Sequence, residues 1–185
     1  MKTKILIWIT GMLTLLSCTT SKNTVTEAER TALNELVENK RFIIESDWAY
    51  PQASIAMQQV MNSGLMGPGN SASNISLLGN YNFLKIEGDS ITSRLPYFGE
   101  RQMLVDYGGQ DSSIELRGLL KNYQVEREKN NKLSIRFQAK SNNENFSVSI
   151  SISPSLKTDM LLSGTGRSPI RYSGMVKPVN EELRE

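Results

Sequence analysis

The segment from Phe146 to Ser153 constrains the fold more than any other part of this chain. It reads Phe-Ser-Val-Ser-Ile-Ser-Ile-Ser, so apolar residues and serines alternate without a break. Because successive side chains of a strand point to opposite faces, this pattern predicts a β-strand with one buried and one wet face. Residues 133–140 alternate in the same way, and Ser141-Asn142-Asn143 is typical of a turn. The two segments are therefore predicted to form a β-hairpin.

Further short strands are predicted along the chain. Residues 81–87 and 91–95 are joined through Gly88-Asp89, which predicts a second hairpin. The period-two pattern predicts a shared face for Phe42, Ile44, Trp48 and Tyr50. Shorter apolar segments lie at 114–116, 123–125, 159–162 and 170–175. Short strands in series, with turns between them, favour an all-β fold, an antiparallel sandwich or a flattened barrel, over an α/β fold.

One amphipathic helix is predicted before the strands, over residues 26–40. Thr26 and Glu29 have the spacing of a capping box. Acidic residues come early in the segment and Lys40-Arg41 come late, which suits the helix dipole. Apolar residues recur at helical spacing, at Ala32, Leu33, Leu36 and Val37.

Residues 51–73 differ from the strands on either side. They contain Met57, Met61 and Met66, and the glycine-rich loop Gly67-Pro68-Gly69-Asn70. The segment is longer than most connections, so we expect a short helix or a flap over the open end of the β structure. Met57 and Met61 could bind Cu(I) through their thioethers, but the filling of an apolar face explains the same spacing.

The start of the chain indicates where the protein is sorted. Lys2 and Lys4 precede an apolar run over residues 5–16, which has the length of a signal-peptide core and is too short to span a membrane. The run ends in Leu15-Leu16-Ser17-Cys18, which resembles the lipobox of bacterial lipoproteins. We therefore expect cleavage before Cys18 and acylation of its thiol. The alternative is an ordinary secretory signal with a cysteine close by.

This interpretation divides the chain into three parts. Residues 1–17 are predicted to be the signal peptide, residues 18–25 a lipidated tether, and residues 26–185 a single β domain. No aspartate follows Cys18 in residues 19–23, so the inner-membrane retention signal is missing. We expect the protein on the outer membrane, facing the periplasm by default, with surface exposure left open.

Composition excludes several classes of chemistry. The chain has no histidine, which rules out Ser-His-Asp and Cys-His catalysis and zinc sites of the Cys/His type. Cys18 is the single cysteine, so an acylated chain has no thiol left for a disulfide. Lys and Arg number 21 against 19 Asp and Glu, and loss of Lys2 and Lys4 leaves 19 of each. A neutral chain has no positive field for nucleic acid, and we expect no cofactor and no metal.

Short blocks of sequence carry a family resemblance. The blocks are Tyr81-Asn82-Phe83-Leu84-Lys85-Ile86-Glu87-Gly88-Asp89, Leu95-Pro96-Tyr97-Phe98-Gly99, Tyr107-Gly108-Gly109, Ile135-Arg136-Phe137, Ser151-Ile152-Ser153 and Ile170-Arg171-Tyr172-Ser173-Gly174. With these blocks the chain resembles the domain-of-unknown-function family 4251, found in Bacteroidota lipoproteins. The resemblance extends from about residue 40 to residue 176, and residues 51–73 resemble an insertion. It implies an all-β envelope domain and brings no established activity and no catalytic residues.

Aromatic residues beside glycines form the main candidate for a binding site. Tyr97, Phe98 and Tyr107 lie in predicted loops at the mouth of the β structure. They could bind a sugar or an apolar ligand, with Arg94 or Arg101 as the polar partner. The alternative is that the aromatic rings close the end of the core while the glycines form tight turns.

The acidic residues offer weaker candidates. Glu87, Asp89 and Asp106 could form a carboxylate pair or a calcium site, but the spacing of a calcium loop is missing and turn chemistry explains Gly88-Asp89. Asp89-Ser90-Ile91 resembles the Asp-Ser/Thr-apolar sequon for O-glycosylation in these bacteria, which makes Ser90 a candidate modification site. A plain hairpin turn explains the same residues.

The sequence therefore predicts a lipid-anchored, non-enzymatic binding or scaffolding module of the cell envelope. Its partner would be an envelope protein or a glycan, in addition to the membrane that holds the lipid. One alternative is an envelope hydrolase, which requires two carboxyl groups facing each other across a cleft. The other is a carrier of a small apolar ligand, which requires a cavity inside the barrel.

Overall fold

The computed structural model describes residues 26–64, 66–101, 113–141 and 144–179. The helices are α1 (Glu27–Glu38), α2 (Ile55–Asn62) and a short 3-10 helix (Lys129–Asn131). The strands are β1 (Arg41–Pro51), β2 (Ile75–Ser76), β3 (Phe83–Glu87), β4 (Ser90–Arg94), β5 (Arg117–Leu119), β6 (Lys121–Arg127), β7 (Leu133–Ser141), β8 (Glu144–Ile152), β9 (Lys157–Gly164) and β10 (Ile170–Pro178).

The ten strands form one antiparallel sheet in the order β5-β4-β3-β1-β10-β9-β8-β7-β6, with β2 beside β1. β5 and β6 are the two ends of this order, although only Leu120 separates them in the chain. β5 also lies close to β7. The sheet therefore curls until it is nearly closed as a barrel, which confirms the predicted all-β antiparallel fold.

The β7–β8 hairpin confirms the strongest sequence prediction. Val148, Ile150 and Ile152 are at most 3% exposed, whereas on the other face Ser147 is exposed and Ser149 and Ser151 are half-buried. Each fully buried apolar side chain of this size contributes about 1.5–3 kcal/mol relative to an exposed one. The expected wet face of β7 is wrong at Ser134, which is 3% exposed. The predicted turn residues Asn142 and Asn143 lie outside the described residues.

The predicted facing of β1 is wrong in its second half. Phe42 and Ile44 are buried as expected, but the register with β10 shifts between Ser46 and Trp48. This β-bulge reverses the alternation, because one extra residue moves every later side chain to the other face. Ala49 is therefore fully buried, while Trp48 and Tyr50 are half-buried.

The strand predicted at 114–116 begins later, at Arg117 in β5. Ile114 forms an isolated bridge with Leu95, because the hydroxyl of Ser93 takes part in the pairing. Ser93 Oγ donates to the carbonyl of Ile114 at 3.0 Å and accepts from the amide of Leu116 at 2.9 Å. A side chain thus replaces part of the regular backbone ladder.

Helix α1 confirms the predicted capping box and the predicted buried face. Thr26 Oγ1 accepts from the amide of Glu29, and Glu29 Oε2 accepts from the amide of Thr26 at 2.9 Å. Leu33 and Val37 are 1% and 2% exposed against the barrel. The predicted basic last turn is wrong, because the helix ends at Glu38 and Lys40 lies beyond its C-cap.

Helix α2 provides the short helix expected in residues 51–73. The side chain of Ser54 caps it by accepting from the amide of Met57, and none of its residues is buried. The loop that follows is held by Asn70, whose Oδ1 accepts from the amide of Ser76 at 2.8 Å. Along the described ranges, neither helix is long or apolar enough to cross a bilayer.

Candidate functional site

A pocket opens where β3 begins and β4 ends, and we call it the end pocket. Its volume is about 430 Å³, within the usual range for small-molecule sites. The chain enters β3 through Asn80 and Tyr81 and leaves β4 through Arg94, so the pairing of these two strands brings the three residues together. Its lining includes Asn80, Tyr81, Arg94, Tyr97, Phe98 and Ser113.

Tyr97 lines the end pocket mainly as a supporting residue. It is 5% exposed, and its hydroxyl lies 2.8 Å from the carbonyl of Glu100 and 2.9 Å from that of Ser168. Burial raises the pKa of Tyr97, although the nearby guanidinium of Arg167 opposes this. The neutral hydroxyl therefore joins the loop after β4 to the β9–β10 connection.

A second tyrosine closes the core beneath the pocket. Tyr172 on β10 is fully buried, and its hydroxyl donates to the carbonyl of Pro96 at 2.8 Å. Burial also raises the pKa of Tyr172. Phe98 is partly buried and packs on the same core. The aromatic residues after β4 thus give the pocket a rigid wall.

Tyr81 is the exposed aromatic residue of the pocket, and sequence reasoning missed it. Its side chain is 76% exposed, with its ring centroid 5.5 Å from that of Phe83. The sequence carried a signal for it. Tyr81 and Phe83 lie at odd positions and the apolar Leu84 and Ile86 at even ones, so period-two spacing directs the two rings away from the core. In the structure Leu84 and Ile86 are indeed buried. Large aromatic side chains on the outer face of a strand mark candidate contact residues.

Asn82 fixes the backbone next to Tyr81. It is 6% exposed, and its amide oxygen accepts from the amide of Ser46 at 2.9 Å. Its amide nitrogen donates to the carbonyls of Ser46, at 2.9 Å, and Asn80, at 3.0 Å. The position of Tyr81 is therefore determined by a buried network that joins it to β1.

Of the two other described residues predicted for this site, one lies in the end pocket and the other does not. Arg94 lines the end pocket, whereas Arg101 pairs with Arg167 in an isolated bridge. Tyr107 lies outside the described residues, as do Asp106 and Cys18. The structure thus brings Tyr97, Phe98 and Arg94 together, and the roles assigned to Tyr107 and Cys18 stay predictions.

The carboxylates of the β3–β4 hairpin lie at its far end, away from the end pocket. Asp89 Oδ1 is 2.7 Å from Lys40 Nζ, and Glu87 Oε2 is 2.7 Å from Lys85 Nζ. Each acid is thus paired with a lysine. Ser90, next to this turn, is exposed at the start of β4, and its O-glycosylation stays a prediction.

Metal binding has no geometric support in the part of the chain that the structure describes. Within it, no three side chains of the His, Cys, Asp or Glu type are grouped as a metal site would require. Met57 and Met61 are half-buried on α2, one helical turn apart, and a copper site there stays a hypothesis.

Another depression, of about 310 Å³, lies on the outer face of β6–β9. The short side chains of Ser147, Ser149 and Ser163 form its floor, between Arg136 and Leu161. No aromatic ring is directed outward among these described residues, since Phe137 is 3% exposed. Because no described residue here directs an aromatic ring outward, the end pocket is the better candidate for a ligand that stacks on an aromatic side chain.

The geometry defines a nearly closed antiparallel β-barrel domain with an aromatic pocket at one end. The chain belongs to the family described as domain of unknown function DUF4251, whose model matches residues 24–176, as the sequence blocks predict. It is similar to the crystal structure of a DUF4251 family protein from Bacteroides eggerthii DSM 20697. The two are 10% identical with a TM-score of 0.55, over 82% of this chain and 88% of that chain. This likeness concerns the fold, and a comparison with curated proteins finds no match.

Proposed function

We propose that this chain is a non-enzymatic binding module of the cell envelope, held at the membrane by lipid on Cys18, and that it binds a glycan in the end pocket. The observation that carries the proposal is the exposed ring of Tyr81 at a pocket whose wall also contains Arg94 and Asn80.

The chemistry of the end pocket suits a sugar. A sugar ring has apolar C–H faces and a rim of hydroxyl groups, so it needs an aromatic surface and polar side chains together. Tyr81 supplies the aromatic surface, and Arg94, Asn80 and Ser113 supply polar groups. Tyr97 and its hydrogen bonds hold the opposite wall in place, so little conformational entropy is lost on binding.

The lipobox-like sequence before Cys18 supports the anchor. Several acyl chains on one cysteine bind a bilayer firmly, because each buried methylene contributes about 0.8 kcal/mol. Residues 18–25 span at most about 29 Å when fully extended. The barrel would therefore stay close to the membrane surface, where envelope glycans are found.

Hydrolysis is less well supported than binding. A carboxylate hydrolase needs two acids facing each other across a cleft. The described residues that line the end pocket and the depression over β6–β9 include no carboxylate. A smaller depression over β3–β5, beside the end pocket, is lined by one, Glu115, which lies 3.0 Å from the guanidinium of Arg117. Glu115 is thus held by a cation instead of facing a second acid.

The carrier alternative is also less well supported. It requires space inside the barrel, but the inward side chains of the strands pack into one core. Fully buried members of this core include Phe42, Ile44, Leu84, Ile86, Ile135 and Ile150.

The anchor is tested with Cys18→Ala. We expect this variant to leave the membrane fraction and to lose metabolic labelling by a palmitate analogue, with Ser21→Ala as the control. Fractionation and labelling like the wild type would show that the lipoprotein assignment is wrong.

Glycan binding is tested with the full-length protein, purified in detergent, on an array of bacterial and plant glycans. We expect binding that Tyr81→Ala abolishes and Leu161→Ala preserves, because Leu161 is an exposed apolar residue outside the end pocket. Absence of binding to every glycan, or binding that does not depend on Tyr81, would contradict the proposal.

A further inference from the structure

The end pocket continues into a second depression, which we call the strand pocket. It has a volume of about 290 Å³ and lies over the outer face of β3, β4 and β5. Tyr81 and Arg94 line both depressions, so together they form one elongated groove, the aromatic groove. The further residues of the strand pocket include Phe83, Thr92, Glu115 and Arg117.

The register of β3, β4 and β5 determines which side chains line the strand pocket. Phe83 is paired with Arg94, and Thr92 with Arg117, so their side chains form rows across the outer face. Tyr81 lies just before β3 and Phe83 is its first residue, and their ring centroids are 5.5 Å apart with planes at 53°. This spacing is comparable to the length of one sugar residue in a linear chain.

The groove is suited to recognition through side chains. Both edges of β4 are paired, one with β3 and one with β5, so its backbone cannot accept an added peptide strand. Arg94, between the two depressions, carries only hydrogen-bond donors, and the Glu115 carboxylate at the strand pocket only accepts. Sugar hydroxyls can bond both, because they donate and accept.

We propose that the aromatic groove binds a linear oligosaccharide of at least two sugar rings, with one ring against Tyr81 and the next against Phe83. Arg94 donates hydrogen bonds to the oxygens between the two rings. This inference rests on the proposed function, to which it adds the length of the ligand and the role of Phe83.

The test is calorimetry on the full-length protein with β-1,4-linked oligomers of N-acetylglucosamine and of glucose, from one to six units. We expect affinity to rise at least about tenfold from one unit to two, because only the dimer places a second ring against Phe83. A tenfold rise corresponds to about 1.4 kcal/mol of binding free energy. Phe83→Leu should remove this gain, so that the dimer binds no more tightly than the single sugar. Tyr81→Ala should weaken both, and Leu161→Ala neither.

The possible outcomes separate the two proposals. Equal affinity for one unit and for longer oligomers, with no effect of Phe83→Leu, would overturn the inference and leave the proposed function intact. Failure of every oligomer together with Phe83-dependent binding of a casein digest would assign the groove to peptides and overturn both proposals. Thermal unfolding of each variant verifies that Phe83→Leu acts on a folded protein.

Discussion

The side-chain amide of Asn82 pairs with the backbone of Ser46 as a neighbouring strand would. Its oxygen accepts from the Ser46 amide and its nitrogen donates to the Ser46 carbonyl, both at 2.9 Å. The β-bulge of β1 lies at this point, and β3 begins only at Phe83. Asn82 therefore satisfies two buried backbone groups that the irregular sheet leaves without a strand partner.

We expect Asn82→Ala to lower the free energy of unfolding by about 2–4 kcal/mol, because two buried backbone groups lose their partners. The matched control is Asn80→Ala, whose exposed side chain should change stability by less than about 0.5 kcal/mol. Urea unfolding measures both. Similar losses in the two variants would contradict the role assigned to the Asn82 amide.

The parts of the fold that could be predicted from the sequence are those determined by residues close together in the chain. The hairpin of β7 and β8 could be predicted because its alternation is unbroken and its turn chemistry is local. The β1 bulge could not be predicted, because Asp47 carries no local signal and the extra residue is accommodated by Gly174 and Asn82, which are distant in the chain. Alternation in the sequence predicts which face of the sheet a side chain occupies only up to the next bulge, because the extra residue reverses the alternation beyond it.

In the candidate site too, residues that are neighbours in the chain could be predicted, and residues brought in from distant segments could not. Tyr97, Phe98 and Arg94 could be selected because they lie close together in the chain, within a glycine-bounded segment. Tyr81 lies on the segment that leads into β3, and its position at the pocket depends on the pairing of β3 with β4. The hydroxyl partners of Tyr97 include Ser168, which no local pattern connects with it.

An ion pair joins the start of β8 to the β9–β10 connection. Glu144 Oε2 lies 2.9 Å from Arg167 Nε, and Oε1 accepts from the amide of Gly166 at 3.0 Å. The two side chains are 16% and 11% exposed. The guanidinium lies between the Tyr97 and Phe146 rings, at 4.9 Å and 5.4 Å from their centroids.

We expect Glu144→Ala to cost about 3 kcal/mol, because removal of one partner leaves a largely buried cation. Arg167→Met keeps the apolar contacts with both rings. A double-mutant cycle by urea unfolding should give a coupling energy above about 1 kcal/mol between the two side chains. Strict additivity of the two single losses would show that the pair has no energetic role.

The position of Gly174 opposite the β1 bulge requires a glycine. A Cβ there would overlap the carbonyl oxygen of Glu45 and the backbone of Ser46. Because backbone atoms cannot move aside as a flexible side chain can, we expect Gly174→Ala to cost more than about 4 kcal/mol or to prevent folding. Ser149→Ala on an outer strand face is the control, with less than about 0.5 kcal/mol. A stable, cooperative Gly174→Ala variant would mean that β1 and β10 are further apart.

Tyr123 should make stability depend on alkaline pH. Burial raises its pKa to about 12, and within the described chain its hydroxyl has no hydrogen-bond partner. Above about pH 10 the unfolded chain loses this proton while the folded protein keeps it, so stability is lost as pH rises towards about 12.

We expect Tyr123→Phe to be neutral or stabilising at pH 7, because an unpaired buried hydroxyl is removed and the stacking on Phe137 is kept. The variant should also lose less stability than the wild type between pH 10 and pH 12. Thermal unfolding across this range measures the difference. An unchanged alkaline slope would show that Tyr123 titrates normally in the fold.

Residues 54–70 are predicted to form a flap that the barrel does not need. None of the α2 residues is buried, and the buried core resumes at Ala72. A short Gly-Ser linker in place of 54–70 should therefore leave a cooperative thermal transition, and limited proteolysis of the intact protein should cut first in this segment.

A matched pair of valines gives the flap prediction its sharpest test. Val60 on α2 is 39% exposed, whereas Val37 on α1 is 2% exposed. Val60→Ala should change the free energy of unfolding by less than about 0.5 kcal/mol, and Val37→Ala should lower it by about 1.5–3 kcal/mol, since only Val37 loses buried apolar surface. Loss of cooperative unfolding in the linker variant, or equal losses at the two valines, would show that α2 belongs to the core.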